Sequence, residues 1–265
     1  MEDNLHHNIL YSCTAEPQKG KDPFVPEHCL TYIQSGEIDI HNNSGIITYG
    51  KGSLGLIKRS QLIKAIKRPL AHEPFLSVNI FITRETLKKY SIEHDIKATG
   101  VYIGEPNVLL PVDQFMRGFI DSLLPYFTNP QRLTATLASV KTIEAIELLA
   151  RNPSLINLLF DFSQPFKIDL EGYMNRHFTY NVPMSQFAHL TGRSLSTFKR
   201  DFAKAFGTSP EKWLHKKRLD LAHYLLTQKG QRPSDVYLEV GFENFSHFST
   251  SFKKEFGTNP ALLTR

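Results

Sequence analysis

Ser196-Thr197-Phe198-Lys199-Arg200-Asp201-Phe202-Ala203-Lys204-Ala205-Phe206-Gly207-Thr208-Ser209-Pro210 returns fifty residues later as Ser246-His247-Phe248-Ser249-Thr250-Ser251-Phe252-Lys253-Lys254-Glu255-Phe256-Gly257-Thr258-Asn259-Pro260. Eight of the fifteen positions are identical in register, and Pro183 matches Pro233 upstream. Two copies are too few for a solenoid, so the repeat reads as a duplicated functional unit. The anatomy is the same in both. A short helix (Met184 to Leu190; Ser234 to Val240) ends in a turn bearing Gly192 or Gly241. A longer helix follows, over about 195–206 and 245–256, opened by Ser194 or Asn244, whose side chains suit an N-cap. Gly207 and Gly257 stand where a left-handed C-cap belongs, and Pro210 and Pro260 begin the next helix.

Phenylalanines four apart (Phe198, Phe202, Phe206; Phe248, Phe252, Phe256) form one face of each longer helix and are assigned to core packing. The other face is polar. It carries Ser196, Thr197, Lys199, Arg200 and Lys204 in the first copy, and Ser246, His247, Ser249, Thr250, Lys253 and Lys254 in the second. These side chains bond to base edges and phosphates, and a short helix, a turn and a longer helix with a polar outer face make the helix-turn-helix plan. One such motif is a modest signal. Two, joined by a helix from Pro210 to Gln228, are a strong one.

Charge points the same way. Residues 166–265 hold 15 Lys+Arg against 9 Asp+Glu, a net of +6, and the other 165 residues hold 16 against 17, a net of −1. The whole basic excess therefore lies in the segment that carries the repeat, as expected of a domain that meets a polyanion. A charge of +6 is small for binding that rests on phosphates alone, which argues against a non-specific architectural protein.

The first half of the chain has a different period. From Cys29 to about Ile103, apolar residues alternate (Ile38, Ile40; Val78, Ile80, Ile82) between turns such as Asn42-Asn43-Ser44-Gly45 and Gly50-Lys51-Gly52-Ser53, which predicts a small β-barrel or sandwich. Between Pro111 and Phe160 the spacing becomes helical. Met116, Phe119, Leu123 and Phe127 mark one helix. Leu133, Leu137, Val140, Ile143, Ile146 and Leu149 mark a second, opened by Asn129-Pro130 and stopped by Asn152-Pro153. These helices either cover the sheet or supply a dimer seam. Ser163-Gln164-Pro165 is the expected junction with the all-helical remainder.

Several classes of function are disfavoured. No apolar run approaches the ~18 residues of a membrane span, and the polar start Met1-Glu2-Asp3-Asn4-Leu5-His6-His7-Asn8 does not read as a signal peptide, so the expected location is the cytoplasm. Cys13 and Cys29 have no zinc spacing and are too few for a disulfide framework. A barrel-based metalloenzyme needs a His-x-His pair with a following Glu and a later His; His28 and His41 stand apart. No phosphate loop, nucleophile elbow or zinc-protease helix is present, so neither an enzyme nor a bound cofactor or metal is expected.

The stretch from about Asp169 to Arg265 resembles the DNA-binding region of AraC/XylS-type bacterial transcription regulators. The residues that carry the resemblance are Ala188-x3-Gly192-x-Ser194 running into Phe198-x-Arg200-x-Phe202; Trp213-Leu214-x3-Arg218-x3-Ala222-x2-Leu225; and Val240-Gly241-Phe242-Glu243-Asn244-Phe245-Ser246-His247-Phe248 with Phe252-Lys253-Lys254-x2-Gly257-Thr258-x-Pro260. It implies an α+β chain in three parts: a cupin-like β-barrel regulatory domain over 1–110, a helical dimerisation segment over 111–165, and a DNA-binding domain over 166–265. It further implies a homodimer that binds double-stranded DNA and contacts RNA polymerase as an activator, with a small-molecule effector in the barrel; the alternative is the same DNA-binding head controlled by a protein partner. Two departures bear on the second motif. Thr250 stands where the family often has an arginine, matching Arg200 in the first copy, and the family ending Pro-x-x-aromatic-Arg is replaced by Pro260-Ala261-Leu262-Leu263-Thr264-Arg265.

Overall fold

The computed structural model describes residues 3–19, 24–42, 45–70, 73–162 and 167–263. The expected junction Ser163-Gln164-Pro165, the middle of the Asn42–Gly45 turn and the final Thr264-Arg265 lie outside the described residues. The chain divides into two compact units, Met1–Ser163 and Gln164–Arg265.

In the first unit the strands run β1 (Asn4–His6), β2 (Ile9–Thr14), β3 (Gln18–Lys19), β4 (Phe24–Val25), β5 (His28–Ser35), β6 (Glu37–Asn42), β7 (Gly45–Tyr49), β8 (Leu54–Ile57), β9 (Gln61–Leu62), β10 (Lys64–Arg68) and β11 (Phe75–Ile82). Helix α1 (Arg84–Glu93), strand β12 (Asn107–Leu110) and helices α2 (Gln114–Leu123), α3 (Ala135–Ala150) and α4 (Pro153–Phe160) complete it. The ladders give a six-stranded sheet in the order β1-β2-β11-β5-β8-β12, a four-stranded sheet β3-β10-β6-β7 and the pair β4-β9. The α+β plan holds, but the barrel is open: among the described residues β1 and β12 remain the two edges of the larger sheet, and no ladder joins them.

Alternation along the central strands buries both faces of that sheet. Cys29, Ile33, Ile57 and Phe75 face one core together with Ile38, Ile40 and Tyr49 of the smaller sheet. Leu30, Tyr32, Leu54, Leu56, Val78 and Ile80 face the other, which the helices close with Leu87, Tyr90, Met116, Phe119, Ile146, Leu149 and Leu159. Each helix is started by a side chain accepting from a backbone N–H: Thr83 from Thr86, Asp113 from Met116, Thr134 from Leu137 and Asn152 from Ser154. Two expectations shift here. Asn129-Pro130 opens only a 3₁₀ turn (Pro130–Arg132), and Asn152-Pro153 both ends α3 and starts α4, because proline at the first helical position loses no hydrogen bond.

The second unit is helical: α5 (Leu170–His177), α6 (Met184–Leu190), α7 (Leu195–Phe206), α8 (Pro210–Lys229), α9 (Pro233–Glu239) and α10 (Phe245–Phe256). Phe198, Phe202, Phe248 and Phe252 are fully buried, as their four-residue spacing predicts. Around the first pair gather Phe206, Phe178 and Trp213. Around the second lie Leu219, Ala222, Leu226, Val236 and Val240. The two copies differ by one residue in the turn. Residues 191–194 separate α6 from α7, whereas 240–244 separate α9 from α10, so Pro183 is an N-cap and Pro233 a first helical residue.

Candidate nucleic-acid interface

Helix α7 begins with Ser194, whose hydroxyl accepts from the Thr197 N–H at 3.3 Å and donates to the Thr197 hydroxyl at 2.9 Å. Gly207 ends it in the left-handed conformation, φ 68°, with its N–H donating to the Ala203 carbonyl. A helix pinned at both ends, with Phe198 and Phe202 anchored in the core, holds a fixed outer face. That face carries Ser196, Arg200 and Lys204, all exposed. The Arg200 side chain is 76% exposed, and its Nε lies 3.7 Å from an Asp201 carboxylate oxygen. Lys199 is turned to the flank, where Nζ meets Glu211 of α8 at 2.9 Å. That ammonium hydrogen bond holds the Glu211 carboxyl below its ordinary range. Asp201 is likewise held low by hydrogen bonds from Lys167 and Arg193; the 2.9 Å contact ties the start of the unit to α7, and the 3.1 Å contact ties the turn before α7 to it.

Helix α10 repeats the design. Asn244 accepts from the His247 N–H at 3.0 Å, and Gly257 closes the helix at φ 73°. Ser246, His247, Thr250, Lys253 and Lys254 are exposed, and Ser249 is half-buried. The His247 ring sits 6.1 Å from His215 of α8 and 5.7 Å from Phe242. Burial first, and the neighbouring His247 second, lower the His215 pKa. The thirteen residues picked out by the sequence thus fall into two patches, on α7 and α10, both of which α8 contacts, the first through Glu211 and the second through His215 and Lys216. Ser194 and Asn244 serve as caps, and Lys199 is shared with Glu211.

Sequence reasoning missed how one residue of the linker helix relates the patches. Arg218, midway along α8, donates from Nε to the Phe178 carbonyl at 2.8 Å, from Nη2 to the Tyr180 carbonyl at 2.9 Å and from Nη1 to the Gly241 carbonyl at 3.0 Å. Burial pushes its guanidinium down to about 10. Gly241 stands at φ 98°, and a Cβ there would lie 2.5 Å from the Thr179 carbonyl oxygen. Only glycine lets the second motif's turn close on the segment before the first. Asn181 adds an amide hydrogen bond to Glu243 at 2.6 Å, and Lys216 bonds Glu255 of α10 at 2.9 Å. A cleft of about 370 Å³ between the motifs is lined by Glu211, His215, Arg218, Glu243, Asn244 and His247 among others. Arginine in the linker helix was part of the quoted pattern, but its partners are carbonyls 40 and 38 residues before it and 23 after, which no local spacing reveals.

In the first unit His28 is fully buried, its Nδ1 accepting from the Arg59 N–H at 3.3 Å, and desolvation followed by Arg59 and Lys58 lowers its pKa to about 3. It is a neutral structural histidine. Among the described residues, no group of three or more His, Cys, Asp and Glu could hold a metal ion, and no helix is long and apolar enough to cross a membrane.

Comparison with known proteins matches residues 187–265 to a family model described as a helix-turn-helix domain, and residues 28–159 to one described as the ExsA N-terminal regulatory domain. The chain is 31% identical over 128 residues to the HTH-type transcriptional regulator ExsA of Pseudomonas aeruginosa, covering 47% of this chain and 46% of that protein. It is 34% identical over 98 residues to the thermoregulatory protein LcrF of Yersinia pestis, covering 36% of each. The matched region thus spans less than half the length of these relatives. Among solved structures, ToxT from Vibrio cholerae superposes with a TM-score of 0.43 and 14% identity over 96% of both chains.

Proposed function

The chain belongs to the AraC/XylS type of helix-turn-helix regulator, and from that premise we propose that it is a sequence-specific DNA-binding transcription activator whose α7 and α10 enter successive major grooves of double-stranded DNA. The observation that carries this reading is the duplicated, capped helix held at fixed spacing by α8 and Arg218. Helix α8 has 20 residues and meets both recognition helices, α7 through Glu211 and α10 through His215, Lys216 and His223, so it fixes their placement relative to each other.

Residues 166–265 then form the DNA-binding domain. Arg200 makes the base-specific contact of the first element, with Ser196, Thr197 and Lys204 beside it. Ser246, His247, Ser249 and Thr250 face the second element, and Lys253 and Lys254 hold its backbone. Lys199 exchanges Glu211 for phosphate, and Ser194 and Asn244 fix the helix ends. With Thr250 in place of an arginine, the second element tolerates base changes better than the first.

Residues 1–110 are read as the regulatory domain and 111–165 as the dimerisation segment. Leu137, Val140 and Ile143 of α3 are large, apolar and exposed, which favours this face as a homodimer seam. RNA polymerase is the partner an activator requires. For regulation, one observation favours a protein partner over a small molecule in the sandwich. Ile33, Ile40, Tyr49 and Phe75, none more than 1% exposed, fill the space between the sheets. The relative ExsA is a transcriptional regulator, and no catalytic role is assigned to this chain.

The test is selection of sites from random DNA by the purified full-length chain, followed by insertion of five base pairs between the two elements. The insertion rotates one element by half a turn and is expected to abolish high-affinity binding. Undiminished affinity would mean that one motif alone engages bases, and selection without any preferred sequence would refute the reading as a whole.

A further inference from the structure

Leu195 and Phe245 are the first residues of α7 and α10 and occupy equivalent places in the repeat. Each is a large apolar side chain at a polar helix end, between Ser194 and Ser196 or between Asn244 and Ser246. They are 42% and 41% exposed, although the core beneath them is already closed by Phe198 and Phe202, or by Phe248 and Phe252, all fully buried. The Phe245 ring is steadied by Tyr237, edge-on at 5.5 Å, and by Phe248 at 6.1 Å, so its outer edge has a defined direction. Scattered apolar residues are ordinary on protein surfaces. The same exposure at the same position of both copies is not scatter.

A helix in the major groove presents its N-terminal residues to the base edges. The only apolar group displayed there is the C5-methyl of thymine; cytosine has a hydrogen at that position. We infer that Leu195 and Phe245 are specificity residues that read thymine methyl groups, one in each element of the site. The inference rests on the proposed entry of α7 and α10 into the grooves. It adds a hydrophobic component to a face that otherwise offers only hydrogen bonds, and it gives the second element, which lacks an arginine at Thr250, a source of base preference of its own.

The experiment uses the full-length chain and its selected site, with each thymine replaced singly by deoxyuridine, which pairs identically but lacks the methyl. Each methyl read by the protein is expected to be worth about three- to fourfold in affinity, the size of one buried methylene-sized group. Leu195→Ala should abolish that sensitivity in the first element only, and Phe245→Ala in the second only. Phe245→Leu should retain it, and 5-methylcytosine opposite the apolar residue should bind better than cytosine. Fluorescence of Trp213, the sole tryptophan, checks that each variant is folded. Specific binding that ignores deoxyuridine everywhere, or sensitivity unchanged in both alanine variants, would overturn the inference while leaving the DNA-reading proposal intact. Loss of any preference for the selected site over random DNA in the wild type would overturn both.

Discussion

Arg218→Met tests whether the two motifs are held in register by one side chain. Methionine keeps the apolar stem but removes every donor, leaving the carbonyls of Phe178, Tyr180 and Gly241 without the hydrogen bonds that they accept at 2.8–3.0 Å. Hydrogen bonds to a charged group contribute ~1.5–3 kcal/mol each, so the three sum to at least ~4.5 kcal/mol before any offset. Two effects reduce that figure. The buried guanidinium carries a desolvation cost that disappears with it, and the adjoining cleft admits water to some of the freed carbonyls. A net loss of about 2–3 kcal/mol is expected, and with a urea m-value of ~1 kcal/mol/M the midpoint should fall by ~2–3 M.

Trp213 makes the assay selective. It is the only tryptophan and packs against Phe202 and Phe206 at 5.6 and 4.7 Å, so its emission reports the second unit within the full-length chain. Arg218→Lys, which keeps the charge but loses the fork, should fall between wild type and methionine. Binding to a two-element site should drop more than ~10-fold in folded Arg218→Met, against less than ~3-fold for a single element, since only the former needs both motifs in register. A midpoint within ~0.5 M of wild type would refute the reasoning, because the three carbonyls would then have to be satisfied without the arginine.

Three further outcomes follow from the same geometry. Gly241→Ala meets the Thr179 carbonyl at 2.5 Å and is expected to cost more than ~2 kcal/mol, whereas Gly207→Ala, equally left-handed but with open space around its Cβ, should cost only ~1 kcal/mol; equal losses in urea unfolding would show that backbone conformation alone matters. Arg200→Ala should weaken specific binding ~10-fold or more and non-specific binding less, since a bidentate arginine–guanine contact contributes ~1–3 kcal/mol of discrimination; an equal loss on both DNAs would reassign Arg200 to phosphate. His28, with its pKa lowered to about 3 in the fold against ~6.5 unfolded, binds fewer protons folded than unfolded between those values, so the first unit loses stability as the pH is lowered through that window. By pH 5 the loss is ~2 kcal/mol at 1.36 kcal/mol per pH unit, and a His28→Gln chain that shows the same acid sensitivity would sink the assignment.

Elements fixed by a local rule with one solution are legible in the sequence. Serine or asparagine before a phenylalanine repeat, glycine after it and proline beyond it define α7 and α10 to the residue, because caps, turns and i,i+4 spacing are all short-range. Helix α1 escaped notice for the converse reason. Only Leu87 and Tyr90 of its ten residues are buried, so two apolar positions in a polar run did not break the strand reading on either side. Barrel closure was illegible because it depends on which edges pair, and Lys199 was assigned wholly to DNA because its partner Glu211 lies on another helix.

Helix α3 shows how periodicity can identify a face and still misplace it. The large residues Leu137, Val140 and Ile143 belong to the stripe read from the sequence, yet α3 turns Ala138, Thr142 and Ala145 inward. Thr142 explains the choice. Its hydroxyl donates to the Ala138 carbonyl at 2.8 Å and accepts from the Asn8 amide at 2.7 Å, and Asn8 also donates to the Phe81 carbonyl at 2.9 Å. A polar clamp of that kind requires close approach, and only small side chains on the helix permit it. The larger apolar residues are then displaced to the outer side, where a single chain leaves them in water at a cost of ~25 cal/mol per Å² of apolar surface. Their exposure follows from the way the helix is seated. A second copy of α3 meeting the first would recover that surface without disturbing the clamp, which is why the dimer proposal is placed on Leu137, Val140 and Ile143 and not on the buried half of the stripe.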